Sequence, residues 1–222
     1  TTTPTRHGLA LARAQAASKA YPDAITTYNS VLGSHDNATG SATDLFNYAL
    51  TVARTGDYTR STMIYSAVIA QHPVHKKARH AQYKIGYMPY DEARYDEAIE
   101  ALTLYLRKHP QGKHVAEARW FSGRAAMLLD RHDVALELWR PLASRKDNQT
   151  LTVAAQYWSA RIMGKQGNGG AERKALQSLL LAHPETGYAY FAAATLGHRF
   201  PEAGAIALPS LPVALSENGD VR

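Results

Sequence analysis

Cysteine is absent from the 222 residues. A disulfide scaffold, a thiolate zinc site, an iron–sulfur cluster and a cysteine nucleophile are thereby excluded. Lack of thiols suits an oxidising compartment, where a stray thiol is a liability. No apolar run approaches the roughly 20 residues that span a bilayer, so no membrane span is expected. Signatures of common chemistries are missing too. There is no His-Glu-x-x-His pair and no Gly-x-Ser-x-Gly elbow. Gly167-Asn168-Gly169-Gly170 has no strand before it and reads as a turn, not a phosphate loop. The chain is basic, with net charge +6 and pI near 9.5. No Lys/Arg run exceeds two residues, so nucleic acid is not an expected partner. An anionic polymer of the cell envelope would suit the same mild basicity. Position 1 is Thr, so a processed or excised piece of a longer protein is the expectation.

What the chain does contain is a repeat. Pro73, Pro110 and Pro184 stand 37 and 74 residues apart. Small residues keep the same period at Ala12, Ala49, Gly86, Gly123, Ala160 and Gly197. A second small column runs Ala24, Ser61, Ala98, Ala135 and breaks at Glu172. Bulky residues form the columns Tyr28, Tyr65, Leu102, Trp139, Leu176 and Leu9, Phe46, Tyr83, Trp120, Tyr157. Such self-similarity specifies a repeat architecture. Each repeat reads as two helices. Tyr95 to Leu106 has apolar residues at helical spacing and stops before His109-Pro110. Gly56-Asp57 marks the turn between helices. Small columns belong where helices cross closely, and bulky columns fill the space beside them. Pro89 should end its helix early or kink it. The prediction is five hairpins and a lone sixth helix from Gly187 to about Arg199. Residues 1–200 form the helical domain, and 201–222, with Pro201, Pro209 and Pro212, an extended tail or a linker to a further domain.

The ten histidines and the densest carboxylates both have structural readings. His35, His72, His109 and His183 share one repeat position, with Lys146 in the fifth repeat. That position ends the second helix, where a cation or partial cation complements the helix dipole. His72, His75 and His80 cluster in sequence, but Pro73 divides them, so no metal is expected. Asp91, Glu92, Asp96, Glu97 and Glu100 sit at the start of a second helix, where acidic residues are favoured. Neither catalytic residues nor a cofactor are expected.

"RTGDYTRSTMIYSAVIAQHP" and "ARYDEAIEALTLYLRKHP" resemble tetratricopeptide repeats. They share the small residue, the Gly-Asp-Tyr-like turn, Ala followed by an aromatic, and the closing Pro. The family's usual period is about 34. The three extra residues fall before each first helix and predict one additional turn there. The resemblance implies an all-α, right-handed solenoid. It also implies a groove lined by first helices, carrying an aromatic column: Phe46, Tyr83, Trp120 and Tyr157. One turn along lie Arg13, Leu50, Tyr87, Arg124 and Arg161, with Arg54 and Lys165 extending the stripe. Aromatic faces stack on sugars or peptide side chains, and arginine pairs with carboxylate or phosphate. The same aromatics could instead pack first helix against second.

The stretch "AAQYWSARIMGKQGNGGAERKALQSLLLAHPETGYAYFAAATLGHRF" is similar to the end of the helical superdomain of soluble lytic transglycosylases. Tyr157, Trp158, Arg161, Gly167, Tyr188, Tyr190, Leu196 and Gly197 carry the match. Pro110, Ala116, Trp120 and Gly123 resemble periplasmic tetratricopeptide adaptors of the outer-membrane and cell-division machinery. In transglycosylases the catalytic Glu precedes Ser, and none of the nine Glu residues here does. The first expectation is therefore the non-catalytic, periplasmic scaffold of a peptidoglycan-cleaving transglycosylase, holding glycan strands or envelope proteins. The alternative is a stand-alone periplasmic adaptor binding protein only.

Overall fold

The computed structural model describes residues 3–144 and 149–197. Among them are eleven helices and no strand: α1 (Thr3–Ala17), α2 (Tyr21–Leu32), α3 (Ala42–Ala53), α4 (Tyr58–Gln71), α5 (Lys76–Asp91), α6 (Tyr95–Lys108), α7 (Val115–Leu128), α8 (His132–Trp139), α9 (Gln149–Lys165), α10 (Gly169–Ala182) and α11 (Gly187–Thr195). The fold class is the all-α solenoid of tetratricopeptide-like hairpins: five pairs and a single last helix. Lys146 and the tail 201–222 lie outside the described residues.

The period governs the turns in finer detail than the composition reveals. Lys19, Gly56, Ala93, Asp130 and Gly167 stand 37 residues apart, and all five have positive φ, between 54° and 84°. Only two are the glycines that adopt this conformation without cost. The residue that follows each one is the N-cap of the second helix, with φ between −93° and −76° and ψ between 62° and 73°. Asp57 and Asn168 use that place to accept from Arg60 N and Ala171 N.

The chain divides into two compact units, up to Ala118 and from Arg119. In the first unit α1 pairs with α2, α3 with α4 and α5 with α6, and α2–α3 and α4–α5 contacts join the pairs. Leu9, Ala12, Tyr28, Leu45, Ala49, Val52, Ile64, Tyr65 and Val68 belong to its core. The crossing at Gly86 is close: a Cβ there would stand 3.0 Å from Leu102 Cδ2 and 3.1 Å from its backbone nitrogen. In the second unit α9 pairs with α10, and α11 packs on both. Trp139 stacks on Trp120, ring centres 5.4 Å apart, and its indole N–H donates to the Trp120 carbonyl at 3.2 Å. Gly123 makes room for it, since a Cβ there would lie 2.3 Å from Trp139 Nε1.

Several expectations need correction. α5 does not end at Pro89 but runs two residues further. Pro89 gives up its own bond to the preceding turn, but it is buried in the packed face of α5, and Arg94 N closes the turn on its carbonyl at 2.8 Å. The extra residues lengthen the first helix in repeats 1, 3 and 5, at 15, 16 and 17 residues. In repeat 2 they lie in the connection after α2, and α3 has only 12. α2 stops at Leu32 with Gly33 at φ 89°, so His35 does not end it. α11 ends at Thr195, short of Arg199. Gly197 follows it as an exposed, positive-φ residue and not as a packing position.

Candidate functional site

The aromatic column expected to line a groove is interior. Phe46 is 2%, Tyr83 1%, Trp120 0% and Tyr157 9% exposed. Their ring faces are covered by neighbours: Phe46 by Tyr65 and His80, Tyr83 by Tyr105 and His114, Tyr157 by Tyr188 and Phe191. What reaches the surface is the polar set one turn along. Arg13, half exposed, pairs with Asp44 at 2.8 Å. Asp44 is also held by Ser41, the N-cap of α3. Arg54 lies 5.5 Å over the Tyr21 ring. Half-buried Tyr87 continues a series of rings from Tyr83 to Tyr90 and Tyr95, with Lys84 Nζ 5.8 Å from its centre. Burial pushes the Tyr87 pKa upward, with Asp91 adding to the effect, so the phenol stays neutral.

In the second unit Arg124 stands 5.8 Å over Trp158. Arg161 is bound on two sides, to Glu172 at 3.2 Å and Thr195 Oγ1 at 2.9 Å. This explains the break in the small column. Glu172 occupies a place where other repeats have Ala or Ser. It fits because Gly164 faces it: a Cβ on residue 164 would stand 2.1 Å from a Glu172 carboxylate oxygen. The large residue on one helix is matched by a missing side chain on the other. Lys165 is exposed at the end of α9.

The histidine column acts as a latch. His72, His109 and His183 are C-caps with nearly the same backbone, φ −139° to −133° and ψ 50° to 61°. His72 Nε2 donates to the Gly40 carbonyl at 2.7 Å, and His109 Nε2 to Gln82 Oε1. Partial burial, then Arg79 and Lys108, lowers the His109 pKa. The ring there donates a hydrogen bond, and all three histidines stand at the end of a second helix as expected. Among the acidic residues, Asp96 and Glu97 fall in the first turn of α6, and exposed Arg94 pairs with Glu92 and Glu97. No group of three residues able to hold a metal occurs among the described residues.

One site was not anticipated. The start of α5 and the turn before α7 enclose a cleft of about 390 Å³, lined by Lys76, Lys77, Arg79, His80, Lys113 and His114. His80 is packed between Phe46 and His114, with ring centres 4.5 and 4.3 Å away. Its pKa is pushed down to about 2, first by burial, then by His114 and the nearby lysines. Lys77 Nζ rests 4.1 Å over the Phe46 ring. Burial, then Lys76 and Lys113, lowers the Lys77 pKa. The signal was available in the repeat register, since Lys76 and Lys113 stand 37 residues apart.

Solved structures similar to the chain include a tetratricopeptide repeat protein and several forms of MamA. A tetratricopeptide repeat protein from Parabacteroides merdae aligns with TM-score 0.65 and 12% identity, over 88% of this chain and 73% of its own. MamA from Desulfovibrio magneticus aligns with TM-score 0.60 and 12% identity, over 83% of this chain and 98% of its own. MamA AMB-1 gives 0.60 and 16%, over 82% and 93%. At these identities the likeness establishes the fold. No curated protein sequence matches the chain. No described helix is long and apolar enough to cross a membrane. The sequence of residues 38–196, from the connection after α2 to the end of α11, matches the family YfiO, described as an outer membrane lipoprotein, and on that match the chain belongs to the YfiO family.

Proposed function

We propose that the chain is a protein-binding scaffold of the bacterial cell envelope, acting in the periplasm beside the outer membrane. The observation that carries this reading is the family match over residues 38–196. A stack of hairpins suits the task, because repeat architectures present extended surfaces without needing a pocket for chemistry. The surface set of Arg13, Arg54, Tyr87, Arg124, Arg161 and Lys165 is proposed to contribute to partner contacts. Phe46, Tyr83, Trp120 and Tyr157 are proposed to support that surface from beneath.

The transglycosylase reading gains nothing from the family match. Tyr157, Tyr188 and Arg161, on which it drew, are engaged in packing α9 against α10 and α11. Glycan binding therefore enters as an outcome of the test.

The test is site-specific photo-crosslinking in bacterial envelopes, with the reactive group at Tyr87 and at Lys165. Partners identified by mass spectrometry are then reconstituted with the purified chain. A stoichiometric complex with an envelope protein is the expected result. Sedimentation with peptidoglycan sacculi, and no protein complex, would overturn the proposal.

A further inference from the structure

The cleft between the start of α5 and the turn before α7 has a charge pattern that packing alone does not explain. Four cations line it, Lys76, Lys77, Arg79 and Lys113, and no carboxylate does. Lys76, Lys77 and Lys113 pair with no carboxylate among the described residues. Elsewhere on this unit arginines do find acids: Arg13 pairs with Asp44 and Arg60 with Asp57. The wall includes His114, only 5% exposed, whose Nδ1 makes no hydrogen bond and lies 3.7 Å from Glu117. Three lysines held around one concavity repel one another, and an anion placed among them would relieve that repulsion.

We infer that this cleft receives the carboxylates of an acidic segment of a partner protein. The inference rests on the scaffold reading and specifies the chemistry of one partner. The shape favours a peptide over a membrane. The cations converge on a recess, and Lys77 is half-buried against Phe46, whereas a lipid surface engages side chains that project from a plane. The volume is of the size that takes a short run of side chains. Exposed Gln111 on the rim adds a hydrogen-bonding group for a peptide backbone.

The experiment titrates fluorescent hexaglutamate, and hexaglutamine as its neutral counterpart, against the full chain. The variants are K76Q/K77Q/K113Q, the equal charge loss K108Q/R173Q/K174Q, and the single reversal K113E, each checked for helicity by circular dichroism. Hexaglutamate should bind wild type and the second variant alike. It should bind the first variant about tenfold to a hundredfold more weakly, the sum of three partly exposed ion pairs. Added salt should weaken binding to wild type, and K113E should weaken it more than a neutral change at that site. Equal binding by wild type and K76Q/K77Q/K113Q overturns the inference. So does equal loss in the two triple variants, or equal binding of hexaglutamine. Phosphatidylglycerol vesicles serve as the lipid arm; their dependence on the three lysines, with no hexaglutamate binding, also overturns it. An envelope protein bound equally by both triple variants would leave the scaffold standing without the cleft. Hexaglutamate bound through the lysines, with no protein partner captured, would leave the cleft without the scaffold.

Discussion

In the unit up to Ala118, Lys76, Lys77 and Lys113 surround a recess that holds no acid. In the unit from Arg119, Arg161 is closed off by Glu172 and Thr195. Both arrangements grow from the same 37-residue repeat. What differs is whether the repeat's own neighbours supply the counter-charge. At Glu172 the second unit breaks the small-residue rule and brings an acid into the helix crossing, with Gly164 opposite to admit it. The first unit keeps the rule at Ala24, Ser61 and Ala98, all fully buried, and leaves its lysines unanswered. A repeated scaffold can thus be charge-satisfied in one place and open in another. The open place is where a partner's chemistry would be read.

The largest effect should come from Trp120→Ala. It empties a fully buried site stacked on Trp139, and such truncations cost about 3–5 kcal/mol. Chemical denaturation measures this. If stability is unchanged and only partner binding falls, the ring belongs to a surface.

Gly164→Ala should cost under about 1 kcal/mol: the new methyl displaces the Glu172 carboxylate, the movable end of its side chain, from Arg161, and alanine's helix propensity offsets part of that loss. The double variant G164A/E172A should lose no more than the larger of the two single losses, since both changes remove the same Glu172–Arg161 contact. A double-mutant cycle reads the coupling. Additive losses would mean that Gly164 and Glu172 do not compensate each other.

The third effect is in the pH profile of the first unit. The His80 pKa in the folded chain, about 2, lies far below the unfolded value of about 6.5. The folded state therefore binds fewer protons. The contribution of the neutral ring is complete above about pH 6.5 and declines as pH falls below it, by about 1 kcal/mol over the first pH unit. His80→Gln should flatten stability between pH 6.5 and 5, the window about one to two pH units wide below the unfolded value. An unchanged slope would show that His80 is not the group responsible.

The smallest effect tests the turns. Ala93 has φ 57° where repeats 2 and 5 have glycine. Ala93→Gly should raise stability by about 0.5 kcal/mol, the left-handed strain relieved less the entropy glycine costs. A loss would mean that the Ala93 methyl makes contacts worth more than the strain.

The period, the five hairpins, the lone α11 and the close crossings at Gly86 and Gly123 were legible in the sequence. They depend on residues that recur at fixed intervals, and a recurring pattern exposes its own rule. The closing prolines, and the Gly-Asp turn of repeat 2, marked helix boundaries for the same local reason. Pro89 misled because its local cost is outweighed by the packing of the helix face that carries it, which the sequence does not weigh. His35 misled because the register counts residues, whereas Gly33 had already ended α2.

Burial of the Phe46, Tyr83, Trp120 and Tyr157 column was decided by tertiary structure alone. A first helix touches both its own partner and the next repeat, and spacing on one helix does not say which neighbour covers a ring. The same holds for charge. Sequence placed Lys76 and Lys113 one period apart and Arg161 eleven residues before Glu172. Only the packing of one helix on the next brought an acid to Arg161 and none to the lysines, because a counter-charge is a matter of distance in space. The sequence by itself therefore determined the repeat and its crossings, while the three-dimensional packing determined which of its side chains are core and which charges meet a counter-charge.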